Sequence, residues 1–527
     1  MTVTSGDCHP IDTQVKTTRP RSLNRAAIRR RRLAVLAAAA VVVVAFAAGV
    51  VRAVTGGDAN DDVLVPRLEQ PAEDPLAYDE EQDEELERAA AFGLSHPLYE
   101  RSPGGVFTAA RRTDAFRPLV EDAVDGSGFD ADLVEAIVFL ESGGRPDVIA
   151  GDDPANASGL TQILAETAQN FLGMDIDLEE SRRLTVRIAG AERRGEVERA
   201  ERLRARRREV DDRFDPERAL AGTIRYLTAA RESLGRDDLA VVSYHMGIGN
   251  LSDVLRAYVG DADEVEIPEL VDEHDLAWVR VFFDTTPDGR PGAFALLARL
   301  GDDSPTYYWR VLAAAEIMRL YRDDPDRLQE LDLLHRAKAS AEEVLQPPIE
   351  TERFADPADL VQAWQEELLH PVPHDPDRLR FSVDRTMGEL AGRLGQPREL
   401  YLGLRAEALA TLVYIAARVH ELSGATQPLE VTSTVRDDAY QGLLRAENAE
   451  AASGYSLHTT GYAFDIRRRY ESGRQAQAFQ FLLDRLTAHG LIAWVREPAA
   501  IHVTVSKDAE RLVPALLERE SVSPSGS

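Results

Sequence analysis

The sequence predicts a multidomain fold in which a transmembrane helix is followed by an α-helical domain and then by an α+β domain. Three observations support this prediction. A chain of 527 residues is too long for one compact domain and suggests two or three. A long apolar run lies near the N-terminus. Beyond it, apolar residues recur at three- and four-residue spacing, and short segments of alternating apolar and polar residues appear later in the chain.

Changes in composition and pattern set the expected domain boundaries. The segments are, in chain order, a cytoplasmic basic segment (1–32), a transmembrane helix (33–51), an acidic extracytoplasmic spacer (52–104), a helical domain (105–325), a linker (326–374), an α+β domain (375–516) and a disordered tail (517–527). The spacer is rich in acidic residues and lacks apolar periodicity, which predicts a solvated segment with one short helix near Asp83–Phe92.

The apolar run from Leu33 to Val51 is just long enough to cross a bilayer, because a helix rises about 1.5 Å per residue and the hydrocarbon core is about 30 Å thick. Basic residues precede the run and acidic residues follow it. This asymmetry predicts a single-pass anchor with the N-terminus inside and the body outside the cytoplasm. A cleaved signal peptide is the alternative, with Ala45-Phe46-Ala47 as its cleavage site.

Charge and cysteine content exclude several functions. The chain holds 61 basic and 91 acidic residues, which gives a net charge of -30. A body so acidic would be repelled by a phosphate backbone, so we expect no nucleic-acid partner. The only cysteine, Cys8, precedes the apolar run, which excludes disulfides, cysteine nucleophiles and thiolate metal ligands from the rest of the chain.

One glutamate of the helical domain is placed as a general acid. Glu141 ends the apolar run LVEAIVFL, so a largely buried helix carries a carboxylate at its C-terminal end. Apolar surroundings and the helix dipole both disfavour the charged form there and raise the pKa, as a general acid requires. Two further segments follow in order, GLTQI at 159–163 and SYHMG at 243–247.

Together with Glu141-Ser142, these segments resemble the motifs of the lytic transglycosylases of the goose-type lysozyme-like group. That family shows Glu-Ser, Gly-Leu-Met-Gln-Ile and Ala-Tyr-Asn-Ala-Gly in this order, and Tyr307-Tyr308-Trp309 looks like its last, tyrosine-bearing helix. The resemblance covers roughly residues 110–325 and implies a lysozyme-like fold. Thr161 stands where the family usually has methionine, and His245 where it usually has asparagine.

The resemblance implies cleavage of peptidoglycan glycan strands without water. Glu141 would protonate the glycosidic oxygen and then, as a carboxylate, take a proton from the 6-hydroxyl of the same sugar, which leaves a 1,6-anhydromuramoyl end. Gln162 and Tyr244 would position the N-acetyl group and the ring. The other residues expected at the substrate are Ser142, Gly159, Leu160, His245 and Tyr308. A hydrolytic muramidase is the alternative, and neither reaction needs a cofactor.

A metal site is predicted in the α+β domain. His458 and Asp465 are separated by six residues, and His502 lies on a later predicted strand, IHVTV. Two histidines and one carboxylate leave an open coordination position, which is the ligand composition of a catalytic zinc site.

The pattern Ser-x-His-x-x-Gly-x-Ala-x-Asp, which begins at Ser456, resembles that of the D-alanyl-D-alanine metallopeptidases. The resemblance covers about 375–515 and implies that the metal is zinc, and that Arg436 and Ser456 contact a peptidoglycan stem peptide. The family's catalytic glutamate usually lies three residues before the last histidine. Ala499 occupies that position here, and Glu497 is the nearest acid and the candidate base.

The two resemblances together predict a membrane-anchored cell-wall enzyme whose partner is peptidoglycan. One domain would cut glycan and the other would bind or cut stem peptides. The alternative from another class is a wall-binding scaffold whose two enzyme-like folds only grip the polymer. An arginine-rich stretch between Glu179 and Asp212 predicts an exposed charged helical hairpin, and a contact with anionic wall polymer is the second interpretation.

Overall fold

The computed structural model describes residues 62–67, 71, 73–260, 265–337, 340–447 and 456–521. The predicted basic segment and transmembrane helix, residues 1–51, lie outside the described residues, so these two predictions are not tested. No helix within the described ranges is both long and apolar enough to cross a membrane.

Helices dominate the first domain and flank the sheet of the second. The helices up to residue 323 are α1 (Asp83–Gly93), α2 (His96–Arg101), α3 (Val106–Asp114), α4 (Arg117–Val124), α5 (Ala131–Ser142), α6 (Ala165–Asn170), α7 (Leu178–Arg193), α8 (Val197–Arg208), α9 (Pro216–Leu234), α10 (Asp237–Met246), α11 (Ile248–Val259), α12 (Ile267–His274), α13 (Trp278–Asp284), α14 (Pro291–Leu300) and α15 (Tyr307–Asp323). The later helices are α16 (Pro325–Ala337), α17 (Glu342–Leu345), α18 (Pro357–Gln365), α19 (Pro376–Leu379), α20 (Ala406–Ser423), α21 (Asp438–Glu447), α22 (Gly473–Ala488) and α23 (Val513–Leu516).

The strands form one large sheet and two small ones. They are β1 (Asp62–Pro66), β2 (His370–Pro371), β3 (Phe381–Val383), β4 (Gly403–Leu404), β5 (Leu429–Ser433), β6 (Ala463–Arg467), β7 (Ile492–Arg496), β8 (Ala500–Val505) and β9 (Leu517–Ser521). The large sheet has the order β3-β5-β6-β8-β7, and β1–β9 and β2–β4 are two-stranded. In the large sheet β3 and β5 are parallel and the remaining pairs are antiparallel.

Helix α5 is central to the helical domain. Its residues 134–139 are all buried, as expected for a helix that is apolar on nearly every side. The Asp130 side chain caps its N-terminus by accepting a hydrogen bond from the backbone N–H of Asp132. Gly143, in the left-handed region with φ 57°, ends it. Helix α15 packs along α5, so the C-terminal turn of α5 meets the first turn of α15.

The large sheet has one apolar face and one polar face. Helices α20 and α22 cover the apolar face in a shared core. On the opposite face, the register pairs Asp465 with His502, and pairs Ala493 of the edge strand β7 with Thr504. Residues directly opposite in antiparallel strands project to the same side. These four residues therefore share one face of the sheet, which we call the polar face.

The acidic segment and the C-terminal tail differ from the prediction. The predicted short helix is present as α1, but it buries Leu86 and Ala90 in a core of the helical domain, so this part is not a solvated spacer. Strand β1 pairs antiparallel with β9, which occupies 517–521 of the predicted disordered tail. Residues 522–527 lie outside the described residues. The sequence could not reveal this pairing, because its two strands stand at opposite ends of the chain.

The predicted linker, 326–374, is also folded where it is described. Helices α16, α17 and α18 fall within it. The Gln346 side chain donates a hydrogen bond to the backbone oxygen of Val505 at 2.7 Å, which ties this segment to the large sheet. The segment therefore forms part of the structure between the two domains.

The two domains pack directly against each other. Arg485 on α22 donates hydrogen bonds to the backbone oxygens of Phe282 and Thr285, at 2.7 and 2.6 Å. A Cβ placed at Gly93 would lie 1.9 Å from the backbone oxygen of Thr487, so α1 and α22 touch backbone to backbone. These contacts fix the cleft between the domains.

The arginine-rich stretch forms the predicted charged hairpin. Helices α7 and α8 pack against each other, and their arginines make ion pairs with nearby acids such as Glu192 and Glu196. Arg207 is an exception, since it is buried over the Phe214 ring and pairs with Asp147 at 3.0 Å. Most arginines of the hairpin are therefore balanced by acidic residues of the same chain.

Candidate active sites

The carboxyl group of Glu141 lies where the end of α5 meets the start of α15. The Tyr307 hydroxyl donates a hydrogen bond to Glu141 Oε1 at 2.7 Å. Burial raises the pKa of Glu141 to about 7, although the Tyr307 bond and the charge of Arg310 act in the opposite direction. At neutral pH the group is therefore protonated in a large fraction of molecules, which is the state a general acid needs.

Aromatic rings form a wall beside Glu141. The ring of Tyr307 stacks on His245 with centroids 5.2 Å apart and on Tyr244 at 6.4 Å. The Tyr244 hydroxyl donates a hydrogen bond to the backbone oxygen of Thr161 at 2.8 Å. His245 Nδ1 lies 2.8 Å from Ser304 Oγ, and burial lowers the pKa of this histidine below 6.5. The wall is thus rigid and neutral at pH 7.

The predicted substrate residue Tyr308 does not face Glu141. Its neighbour Tyr307 makes the contact described above, whereas the Tyr308 ring packs against Trp309 with centroids 5.1 Å apart. Successive helix residues point about 100° apart, so only one of two adjacent tyrosines can face a given neighbour. The position of Tyr307 depends on how α15 packs on α5, which the local sequence does not encode.

The GLTQI loop contacts the aromatic wall, because Thr161 accepts the hydrogen bond of Tyr244. Leu160 is fully buried in the apolar core, so its side chain packs there and does not line the site as predicted. A Cβ at Gly159 would lie 1.8 Å from the backbone oxygen of Arg213, so glycine is required for packing. Gln162 has a positive φ of 51°, and its side-chain amide donates to the backbone oxygen of Gly159 at 2.8 Å. The loop is therefore held by its own polar groups.

Glu141 opens into a cavity of about 570 Å³ between the two domains. Ser142, which is buried and donates to the backbone oxygen of Val138, also borders it. Among the described residues that line the cavity, the other carboxylate is Asp303, and it accepts a hydrogen bond from Arg310 at 2.8 Å. Glu141 is therefore the carboxyl group there that has no basic partner in hydrogen-bond contact.

The pKa of Glu141 predicts the pH dependence of the glycan cleavage that the sequence motifs predict. We expect kcat/KM to fall about tenfold per pH unit above about pH 7, because only the protonated form donates a proton. Replacing Tyr307 by phenylalanine removes a bond that lowers the pKa, so the falling limb of the Tyr307→Phe variant should lie at higher pH. A pH profile of both proteins checks this. Identical limbs would show that Glu141 does not set the profile.

The predicted metal ligands converge on the polar face of the sheet. His458, Asp465 and His502 are buried and offer ligand atoms that all lie within 4.8 Å of one another. His458 Nδ1 lies 2.8 Å from the backbone oxygen of Thr434, which leaves its Nε2 directed at Asp465 Oδ1, 3.2 Å away. His502 Nδ1 lies 2.8 Å from the same oxygen. Two imidazoles and one carboxylate aimed at a common point fit a zinc ion.

The groups of the cluster differ in charge at neutral pH. Burial would lower the pKa of His502, but its hydrogen bonds to Asp465 and Glu342 raise that pKa to about 10, so this ring must lose a proton before it can bind a metal. Burial and the charge of Arg436 lower the pKa of His458 to about 4, so that ring is neutral, as a metal ligand must be. Burial alone would raise the pKa of Asp465, but the two histidines hold it well below 3.8. The carboxylate is therefore charged at neutral pH.

Glu342 joins the cluster and was not found from the sequence. Its Oε1 lies 2.7 Å from His502 Nε2 and accepts a hydrogen bond from Thr504 Oγ1 at 3.1 Å. Ser340 Oγ donates to its other oxygen at 2.6 Å. A carboxylate on the far nitrogen of a histidine fixes the orientation of the ring and leaves Nδ1 for the metal. Glu342 comes from the segment expected to be a linker, so no motif spacing pointed to it.

The expected substrate residues of the second domain lie beside the cluster. Arg436 Nη2 is 3.6 Å from Asp465 Oδ2, and Nη1 donates to Gln441 Oε1 at 2.9 Å. Ser456 is buried two residues before His458, and its backbone oxygen accepts a hydrogen bond from the Thr459 side chain. Both residues therefore lie near the ligands, and their contact with a stem peptide stays a prediction.

Glu497 occupies the turn between β7 and β8 and is exposed. Its backbone N–H donates to the backbone oxygen of Ala500 at 3.0 Å. Neighbouring atoms still partly shield its carboxyl group from water, which raises its pKa above 4.5, and the charge of Asp465 acts in the same direction. The carboxylate therefore lies within electrostatic reach of the cluster. Ala499, at the motif position, offers no acid. The role of Glu497 as a base stays a prediction.

The structure thus contains a helical domain with the carboxyl group of Glu141 in an open cleft, and a sheet domain with a cluster of two histidines and one aspartate.

Comparison with known proteins supports part of the prediction. No protein-family model matches the chain. A stretch of 74 residues is 36% identical to the endo-type membrane-bound lytic murein transglycosylase A of Cronobacter sakazakii. The match covers 14% of this chain and 35% of that protein. It supports a lytic-transglycosylase-like region, and it offers no support for the peptidase resemblance.

Proposed function

We propose that this protein is a peptidoglycan lytic transglycosylase that cleaves the bond between N-acetylmuramic acid and N-acetylglucosamine. The observation that carries the proposal is Glu141, whose pKa is raised to about 7 and which is held by Tyr307 in an open cavity. Most glycosidases need two carboxyl groups, one of which attacks or activates water. A site with one available carboxyl group suits a reaction in which the sugar's own hydroxyl is the nucleophile.

The proposed reaction returns Glu141 to its starting state. The protonated carboxyl group donates its proton to the glycosidic oxygen as the carbon–oxygen bond breaks. The Tyr307 hydroxyl, already bonded to Oε1, stabilises the carboxylate that forms. That carboxylate then takes the proton of the 6-hydroxyl as its oxygen bonds to the anomeric carbon. The products are a 1,6-anhydromuramoyl end and a free hydroxyl on the leaving sugar, and no water is consumed.

The product ends test the proposed function. Purified full-length protein should release soluble muropeptides from peptidoglycan, and mass spectrometry should find muramoyl ends lighter by one water than the corresponding reducing ends. Reducing ends would identify a hydrolytic muramidase. Binding to peptidoglycan without any release would favour the scaffold.

We further propose that the second domain binds one zinc ion through His458, Asp465 and His502 and acts on stem peptides. The converging donor atoms support this proposal. A bound zinc ion would supply Lewis-acid activation of a water molecule or a peptide carbonyl. The chain's own contributions would be Arg436, which lies 3.6 Å from Asp465 and would hold a peptide carboxylate, and Glu342, which contacts His502 Nε2 and would orient its ring.

Glu342 gives a specific prediction for metal affinity. Removing its carboxylate in Glu342→Gln should weaken zinc binding by about 10- to 100-fold, because the orientation and basicity of His502 depend on it. Competition with a chelator measures this. The matched control is Glu352→Gln, an exposed glutamate of the same interdomain segment, which should bind zinc normally. Equal affinity in both variants would remove Glu342 from the metal site.

The Glu497→Ala variant distinguishes a peptidase from a peptide-binding module. If it is the base, Glu497→Ala should keep zinc and lose about 10²–10⁴-fold in peptide cleavage. The exposed position of Glu497 and the alanine at 499 favour binding alone as the second candidate function. Zinc-loaded protein that binds stem peptides and cleaves none would establish that candidate, whereas cleavage that survives in Glu497→Ala would require another base.

We propose that residues 33–51 anchor the protein in the membrane with its body outside the cytoplasm. The asymmetry of charge around the apolar run supports this. The similar protein from Cronobacter sakazakii is also described as membrane-bound. Because β1 begins at Asp62 and pairs with β9 of the second domain, only residues 52–61 would separate the anchor from that domain. Recovery in the membrane fraction tests the anchor, and a mature N-terminus near Ala48 would contradict it.

A further inference from the structure

The cavity at Glu141 is not built by the helical domain alone. Its opposite wall consists of the edge strand β7, including Ala493, and of Ser340 and Ala341 from the interdomain segment. The contacts of Arg485 described above fix α22 against the helical domain, and α22 packs on β7. A substrate that reaches Glu141 therefore also meets the second domain.

This wall leads toward the metal cluster. Ala493 lies on the polar face of the sheet, directly opposite Thr504 in the neighbouring strand. The Thr504 hydroxyl is 3.3 Å from His502 Nε2. Ser340 and Ala341 immediately precede Glu342, which contacts that same nitrogen. The large sheet and the segment 340–342 therefore contribute residues both to the cavity at Glu141 and to the surroundings of His502.

The chemistry of the cavity wall suits an acidic peptide. Strand β7 is the last strand in the order of the large sheet, so one of its edges has no strand beside it in the described chain and can pair with an extended peptide. Arg101, Arg145 and Arg310 line the cavity of a protein whose net charge is -30. The stem peptides of peptidoglycan carry free carboxylates, and arginine is well suited to bind them.

We propose that this cavity binds the stem peptide of the saccharide whose glycosidic bond lies at Glu141, so that the second domain selects peptide-bearing glycan strands for cleavage. The inference rests on the proposed glycan-cleaving function of Glu141. The peptide would extend from the muramoyl lactyl group along β7, over Ala341 and toward the metal cluster. The two sites would then act on one repeat of the polymer.

Direct binding tests this inference without turnover. Full-length Glu141→Gln protein should bind a muramoyl oligosaccharide with stem peptides at least about tenfold more tightly than the same saccharide after amidase has removed the peptides. Adding Ala341→Tyr, which places a bulky side chain in the part of the cavity proposed for the peptide, should bring this ratio close to one. The control Ala355→Tyr changes an exposed residue of the same segment outside the cavity and should preserve the ratio.

A second variant, on the surface, keeps the test valid if Ala341→Tyr misfolds. Arg101 is exposed at the cavity, so Arg101→Glu should keep the fold and weaken the peptide-bearing ligand several-fold, while Arg299→Glu, exposed elsewhere, should not. Equal affinity for the two ligands, or a ratio unchanged by both cavity variants, would overturn the inference and leave glycan cleavage intact. Absence of cleavage by the unmutated protein would instead overturn the proposed function, and the binding ratio would then show only whether the cavity binds the stem peptide.

Discussion

Replacing Glu141 by glutamine is expected to abolish glycan cleavage while making the protein more stable at alkaline pH. Loss of a general acid costs about 10²–10⁴-fold in rate, and more when no other group can substitute for it. In the described cavity the other carboxylate, Asp303, is paired with Arg310, so we expect no substitute. Glutamine is nearly isosteric and keeps an oxygen that can accept the Tyr307 hydrogen bond.

The stability gain follows from the direction of the pKa shift. The pKa of Glu141 rises from 4.5 to about 7 on folding, so between these values the folded protein holds a proton that the unfolded chain releases. The stability of the wild type therefore falls as pH rises from about 4.5 to about 7, by up to ~3 kcal/mol, and the variant escapes this loss. Urea unfolding of both proteins near pH 5 and near pH 8 measures it.

The opposite changes in activity and stability distinguish a functional carboxyl group from a structural one. A Glu135→Gln variant is the matched control on the same helix, since Glu135 is buried and paired with Arg322 and Arg117. Burial raises the pKa of Glu135 as well, but glutamine at this position would leave Arg322 and Arg117 without their shared buried partner. That variant should therefore lose stability and keep the pH profile of cleavage. If Glu141→Gln is less stable than the wild type at alkaline pH, or cleaves glycan at a near-normal rate, Glu141 is not the acid.

Replacing Asp465 by alanine is expected to abolish zinc binding. Both histidines of the cluster face Asp465 Oδ1, so its removal takes away one ligand and the group that organises the other two. We expect the zinc affinity to fall more than about a hundredfold, beyond the effect of losing an orienting residue such as Glu342. Metal content after dialysis and chelator competition measure this.

A histidine outside the cluster provides the control for this variant. His420 on α20 contacts only the backbone oxygen of Ala425 among its described hydrogen bonds, so His420→Gln should bind zinc normally. Zinc should also raise the melting temperature of the wild type and of His420→Gln, and should not raise that of Asp465→Ala. Wild-type protein that binds no metal would overturn the zinc assignment.

Features that depend on local sequence were predictable. Glu141 could be placed because an apolar helix and its end are encoded within a dozen residues, and both determine the environment of the carboxyl group. His458, Asp465 and His502 could be placed because strands alternate and the motif fixes the spacing. The structure brings all three together on the polar face of the sheet.

Features that depend on distant packing were not predictable. The sequence offered two adjacent tyrosines near the end of the helical domain, and only the packing of α15 on α5 places Tyr307 rather than Tyr308 at Glu141. Glu342 lies far from His502 in sequence, in a segment whose prolines suggested a linker. The β1–β9 pairing joins the start of the described chain to its end. In each case the information lies in contacts that no short segment contains.

Cleavage in water enriched in heavy oxygen tests the central claim most directly. If the 6-hydroxyl of the sugar is the nucleophile and Glu141 the only acid, the muramoyl ends released by the wild type should contain no heavy oxygen, and Glu141→Gln should release none of these products. Heavy oxygen at each new muramoyl end would show that water attacks, and the protein would then be a hydrolytic muramidase.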